Sequence, residues 1–328
     1  MHLKYKGISL VRYFLIRHFL KANKITYSPF SKNSVIWGAR NERQVGDVVI
    51  EDGFIRSNGL GVNYAMPYSL VFDDVGIYFD ATKPSKLENL LNSRYISKEL
   101  IVRSRCIIES LIKNRLTKYN VGDFESLEVP ADKMKILVPG QVDGDASIRF
   151  GSPEIKSSIG LLKQVRLEYP DAYIIFKPHP DVVSGHREIE GSIEDFYKIA
   201  DDVVPNISIT HLFEVADEVH TLTSLSGFEA LLRGKRVVTY GLPFYAGWGL
   251  TVDKLSCSRR SRKVTIEELV ACSLILYPTY LNPTTGLEIT IEETIEAISK
   301  EDSNNEKLRL YLRVLLLLRK LRSRIIRH

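Results

Sequence analysis

Short apolar runs, each closed by turn residues, alternate along this chain with longer stretches of helical spacing. Val35-Ile36-Trp37 runs into Gly38, Val48-Val49-Ile50 into Glu51-Asp52-Gly53, and Leu70-Val71-Phe72 into Asp73-Asp74. These read as buried strands. Helical spacing follows over 84–91, opened by Pro84, and over 98–116. Residues 118–134 are polar, hold Gly and Pro, sustain no period, and read as a linker. The plan then repeats. Ile136-Leu137-Val138 ends in Pro139-Gly140, a helical pattern covers 153–168, and Tyr173–Phe176 ends in Lys177-Pro178-His179-Pro180. Val219–Leu222 leads into Thr223-Ser224-Leu225-Ser226-Gly227 and a helix over 228–232. Val237-Val238-Thr239 precedes a Gly/aromatic loop over 241–249. Strands alternating with helices in two blocks predict two Rossmann-like α/β halves, whose ligands sit beyond the carboxyl ends of the strands.

Composition narrows the class. The 328 residues are 44% hydrophobic and 26% charged, enough for two domains with proper cores. No uninterrupted apolar run exceeds five residues, far short of the ~18–20 that a membrane span needs. Cys106, Cys257 and Cys272 are scattered and odd in number, which argues against a disulfide scaffold or a zinc ribbon and for a reducing compartment. The net charge of +5 is unevenly spread. Residues 1–41 hold eight Lys/Arg and no acid, and residues 306–328 hold eight against Glu306 alone, so the body between is net acidic. That argues against a basic nucleic-acid groove, which needs the folded face itself to be basic. Both ends can be drawn as helices with an apolar stripe and Lys/Arg flanks, either packed on the body or lying on an anionic bilayer. Arg12 and Arg17 interrupt the first stretch and no small-residue cleavage site follows, so it is not a signal peptide.

Three loops carry candidate chemistry. Lys177 and His179, stiffened by Pro178 and Pro180, suit a phosphate oxygen, although the prolines could simply end a strand. Ser224, Ser226 and Gly227 open a helix whose free N–H groups favour an anion, and either serine could be a plain N-cap. Glu229, in the first turn, could accept ribose hydroxyls or complement the helix dipole. Gln141-Val142-Asp143-Gly144-Asp145 places two carboxylates in a Gly turn, and Glu51-Asp52-Gly53 places two more in the other half. Carboxylates facing one cleft from opposite halves suit glycosyl transfer. A metal site at Asp143/Asp145 is the rival reading, disfavoured because other groups already supply positive charge.

The stretches VPGQVDGDASI, FKPHPDV, DEVHTLTSLSGFEALLRGK, YGLPFYAGWGLT and LILYPTYLNPTTG, with EDGFIRSNGLGV and SLVFDDVGIYFDATKPSKLE, resemble the KpsC/KpsS capsule polysaccharide proteins over about residues 34–290. A weaker likeness extends to bacterial sialyltransferases. The resemblance implies a GT-B fold of two Rossmann-like domains with a cleft between them: an acceptor-side domain over 1–128, a CMP-sugar domain over 129–300 whose last helices cross back to the first, and a basic amphipathic tail over 301–328. It implies a retaining β-Kdo transferase that uses CMP-β-Kdo, with no cofactor or metal. Asp145 then falls on the nucleophile and Glu51 or Asp52 on the acid/base. Lys177, His179, Ser224, Ser226 and Gly227 fall at the CMP phosphate, with Glu229 and Gln141 beside them. Arg56 or Lys177 is a candidate for the sugar carboxylate. The expected partners are a nucleotide-sugar donor, a glycan or lipid-linked acceptor, the anionic inner-membrane surface on the cytoplasmic side and a capsule assembly complex. KpsC carries two such modules and this chain has room for one. An inverting CMP-sialic-acid-type transferase and a silent CMP-sugar- or lipid-binding module are the alternatives.

Overall fold

A computed structural model describes residues 4–6, 8–28, 34–38, 44, 46–57, 65–93, 95–118, 120, 127–185, 190–191 and 193–300. The basic tail expected over 301–328 lies outside the described residues.

The chain forms two six-stranded sheets. The first contains β1 (Lys4–Tyr5), β2 (Thr26–Tyr27), β3 (Ser34–Trp37), β4 (Val48–Asp52), β5 (Ser69–Asp73) and β12 (Pro278–Tyr280), in the order β12-β5-β4-β3-β1-β2. The second contains β6 (Lys135–Pro139), β7 (Tyr173–Lys177), β8 (Asp202–Val203), β9 (Glu218–Thr221), β10 (Arg236–Thr239) and β11 (Val252–Asp253), in the order β11-β10-β9-β6-β7-β8. All pairings in the second sheet are parallel. Numbered from β6, its order is 3-2-1-4-5-6, the Rossmann arrangement, with its switch point between β6 and β9. The first sheet is mixed, because β5 runs antiparallel to both β4 and β12.

Each predicted strand run lies in one of these sheets, and the helices follow local chemistry. Ser85 and Ser97 cap α2 (Lys86–Asn92) and α3 (Lys98–Lys113) by accepting from Glu88 N and Leu100 N. The helix expected over 153–168 is shorter at its start. A short α4 (Ala146–Gly151) precedes it, and α5 (Ser158–Glu168) starts only where the Ser157 hydroxyl accepts from Gly160 N at 3.3 Å. Between residues 168 and 232 the described helices are α6 (Pro180–Val183), α7 (Ile193–Tyr197), α8 (Ile209–Val215) and α9 (Leu225–Leu232).

The last helices cross back to the first half, as expected, and a strand that was not expected goes with them. α10 (Ile266–Val270), a π-helical turn (Ala271–Leu276) and α11 (Ile291–Lys300) pack on α2 and α3, and β12 joins β5. One apolar core runs through both halves. Phe54 of the first meets Phe244 at 4.6 Å and Phe228 at 6.2 Å, ring centre to ring centre. A buried carboxylate fork closes the seam: Glu88 on α2 accepts from Arg259 Nε at 2.7 Å and Arg260 Nε at 3.2 Å, while Arg260 also donates to Ala246 O at 2.9 Å.

The N-terminal apolar stretch is α1 (Leu10–Ala22), and its stripe is packed rather than free. Leu15, Ile16, Phe19 and Leu20 are buried against Val35, Trp37, Ile50, Leu70 and Leu281. Among the described residues no helix is long and apolar enough to cross a membrane.

Candidate functional site

The carboxyl ends of β3 and β4 face those of β6, β7 and β9 across a cavity of about 660 Å³. Of the residues singled out in the sequence, Glu51, Asp52, Arg56, Gln141, Asp145, Lys177, His179, Ser224, Ser226 and Glu229 line it. Gly227 does not, and its role is steric. A Cβ there would stand 2.2 Å from the Tyr245 hydroxyl, which donates to Ser224 O. Glycine therefore lets the aromatic loop seat the start of α9.

On the second-half wall, the two carboxylates of the Gly turn have separate duties. Asp143 accepts from Ser158 N at 2.9 Å and Glu190 N at 2.7 Å, which pins the turn to the start of α5. Asp145 precedes α4, is exposed to the cavity, and accepts from the Ser147 hydroxyl at 3.1 Å. Gln141 clamps two loops together: its amide donates to Thr223 Oγ1 at 3.0 Å and accepts from Thr223 N at 2.9 Å. His179 caps α6, its Nδ1 accepting from Asp181 N at 3.0 Å. A backbone N–H can only donate, so the neutral ring carries its proton on Nε2. Lys177 is 7% exposed and donates to Pro205 O at 2.5 Å, and burial pushes its ammonium down to about 8. It belongs to the wall, and one of the three N–H donors of its ammonium form is engaged by Pro205 O. Ser224 is the N-cap of α9, accepting from Ser226 N at 3.2 Å.

On the first-half wall, Asp52 pairs with Arg56, Oδ2 to Nε at 2.9 Å. Arg56 also donates to Ser57 Oγ at 2.7 Å and Ala65 O at 3.0 Å. These bonds commit its guanidinium to the wall, so the expected contact with a sugar carboxylate has to compete with them. Glu51 lies against Gly38, where a Cβ would stand 2.7 Å from Oε2, and accepts from Asp52 N at 3.1 Å. Removal from water and the neighbouring Asp52 charge raise its carboxyl to about 7. Glu229 is buried and accepts from Lys118 N at 2.8 Å, so it ties the donor-side helix to the first half instead of standing open to a ribose. Burial raises it too, to about 7. Arg233, a turn later, donates to Leu116 O at 3.0 Å and completes the tie.

The sequence reading missed Arg12, Trp37, Lys118 and Phe244, all of which line the cavity. The Arg12 guanidinium lies 3.9 Å over the Trp37 ring. A signal for it existed: Arg12 stands one turn before Leu15 and Ile16, on the face marked as buried. A cation on the apolar side of a helix needs a polar destination.

Known proteins resemble this arrangement. Residues 32–120 and 97–282 match the family of capsule polysaccharide biosynthesis proteins. Capsule polysaccharide modification protein LipA of Neisseria meningitidis is 49% identical over 252 residues, 77% of this chain and 36% of LipA, so the chain spans about a third of that relative's length. Lipopolysaccharide-processing protein LpsZ of Rhizobium meliloti is 40% identical over 256 residues, 77% of this chain and 58% of LpsZ. Among solved structures, the β-Kdo 2,7 transferase of Thermosulfurimonas dismutans KpsC superposes with a TM-score of 0.76 at 39% identity, covering 91% of this chain and 98% of that one. The β-Kdo 2,4 transferase of the same KpsC gives a TM-score of 0.82 at 30% identity, with the same coverage. With the family match spanning most of the chain and both KpsC transferases sharing its fold, the chain belongs to the capsule polysaccharide biosynthesis protein family.

Proposed function

We propose that this protein is a retaining β-Kdo glycosyltransferase that uses CMP-β-Kdo and a lipid-linked acceptor glycan at the cytoplasmic face of the inner membrane. The observation that carries the reading is one cavity with Asp145 on one wall and the Glu51–Asp52 pair on the other. Kdo is a keto-sugar acid with no hydrogen on its anomeric carbon. The bond to CMP breaks as the phosphate gains charge, which the Nε2–H of His179 and the positive end of the α9 dipole would meet. Asp145 takes the anomeric carbon, giving a glycosyl ester. The acceptor hydroxyl then loses its proton to Glu51 and displaces Asp145, and two inversions make a retention. No step calls for a metal.

The test is turnover of CMP-Kdo, generated in place from cytidine triphosphate, Kdo and a synthetase, with a lipid-linked acceptor and mass-spectrometric readout. Stalled enzyme should carry one Kdo on Asp145. A product of inverted configuration with no adduct would assign the chain to inverting chemistry instead.

A further inference from the structure

We propose that the outer face of α1, with the edge strands beside it, docks on an anionic lipid bilayer. Phe14, Arg17 and Lys21 stand three and four residues apart, so they share the side of the helix opposite its buried stripe, and all three are exposed. The exposed side is aromatic as well as basic. Phe14 is 41% exposed and meets Tyr13 at 5.7 Å, Tyr13 stacks on Tyr5 at 5.7 Å, and Tyr5 meets Tyr27, itself 63% exposed, at 5.3 Å. The rings thus form a continuous strip from helix to sheet edge. The segment that carries it is basic, since residues 1–41 contain eight Lys/Arg and no Asp or Glu, with Lys6 paired to Asp47 at 3.8 Å. Among the described residues, Lys4, Lys21 and Lys24 have no carboxylate partner.

Amphipathic rings and clustered cations together are what a charged bilayer interface selects, and neither signal alone holds a protein there. The inner side of the same helix supplies Arg12, Leu15 and Ile16 to the cavity wall. A helix resting on the bilayer would therefore bring the acceptor side of the cavity to the surface from which a lipid-borne glycan projects. The proposal rests on the reading of the acceptor as lipid-linked.

Sedimentation of the full chain with phosphatidylglycerol-containing vesicles, against pure phosphatidylcholine vesicles, tests it. Lys21→Glu with Lys24→Glu should lower partition onto the anionic vesicles by about tenfold or more. Phe14→Ser with Tyr27→Ser should lower it severalfold. Lys21→Arg with Lys24→Arg should retain binding, and turnover on a short soluble acceptor should stay unchanged in every variant that keeps the wild-type melting temperature. Unchanged vesicle binding in both disruptive variants would overturn the proposal. So would equal binding to uncharged vesicles. Parallel loss of soluble-acceptor turnover would mark the strip as a glycan platform and overturn it as well. Vesicle binding requires neither donor nor acceptor, so a failure here leaves the transferase reading standing, and absent turnover leaves the vesicle result standing.

Discussion

Each half of the molecule sets two carboxylates beyond the middle of a strand, at the end of β4 in the first and in the turn after β6 in the second, and the two pairs are held differently. In the second half the division is between structure and exposure: Asp143 is saturated by backbone N–H groups from the start of α5 and from Glu190, while Asp145 faces the cavity. In the first half both acids line the cavity and the division is electrostatic. Asp52 is matched by Arg56, and Glu51 is left with its proton affinity raised to about 7. An exposed carboxylate has room for an incoming carbon, whereas a recessed one near neutrality is suited to exchange a proton. One residue type thus acquires two roles from its surroundings.

The largest expected effect separates the members of the second pair. Asp145→Ala should lower turnover by at least about 10³-fold and leave CMP affinity nearly intact, because a nucleophile acts on the sugar and not on the nucleotide. Asp143→Ala should cost far less in turnover but roughly 1–3 kcal/mol in stability, as two backbone donors lose their acceptor. If the two variants lose activity equally, the division of roles in this turn is wrong.

The first pair should separate by pH. Glu51→Gln should lower kcat by about 10²–10⁴-fold. The wild-type rate should rise with pH through about 7 as Glu51 becomes the base, and that limb should vanish in the variant. A surviving limb would move the proton transfer to another group. Asp52→Asn should instead show first as lost stability, because Arg56, 3% exposed, would lose its anionic partner.

Smaller effects sharpen what surrounds the pairs. His179→Ala should weaken CMP by roughly 10–100-fold, as expected for the loss of a hydrogen bond to a charged group. Calorimetry that finds no change would reduce the residue to a helix cap. Glu229 tests the seam between the halves. Its folded carboxyl titrates at about 7 against an ordinary 4.5, so the folded state holds a proton in that window which the unfolded chain has lost. That contribution to stability is complete below the ordinary value and fades as pH rises through about 7. Glu229→Gln can still accept from Lys118 N and cannot ionise. Its melting temperature should therefore change less between pH 5 and 8 than the wild type's, the difference approaching about 3 kcal/mol as an upper bound. Parallel melting curves at all pH values would show that Glu229 is charged in the folded protein.

What the sequence made legible was local. Strand runs closed by turn residues announced β3, β4, β6, β7 and β9, and the loops just after them hold most of the cavity wall. Hydrogen-bond allegiance was not legible. Nothing in the order of residues says that Arg56 will be committed to Asp52, Ser57 and Ala65, or that Glu229 will turn to Lys118, 111 positions away. Arg12 was visible as a cation interrupting an apolar helix face, but its destination was not, because that depends on α1 packing against β3 and β4. The return of β12 escaped for the same reason. Three residues pairing with a strand two hundred positions earlier leave no periodic trace.

That return stroke decides how the second half is held. The second sheet is an insertion between two segments of the first half, so Lys4 and Lys300 both belong to the same half. The second half is thus a loop of chain held at both of its ends by the first, reached through two crossings and owning neither described end.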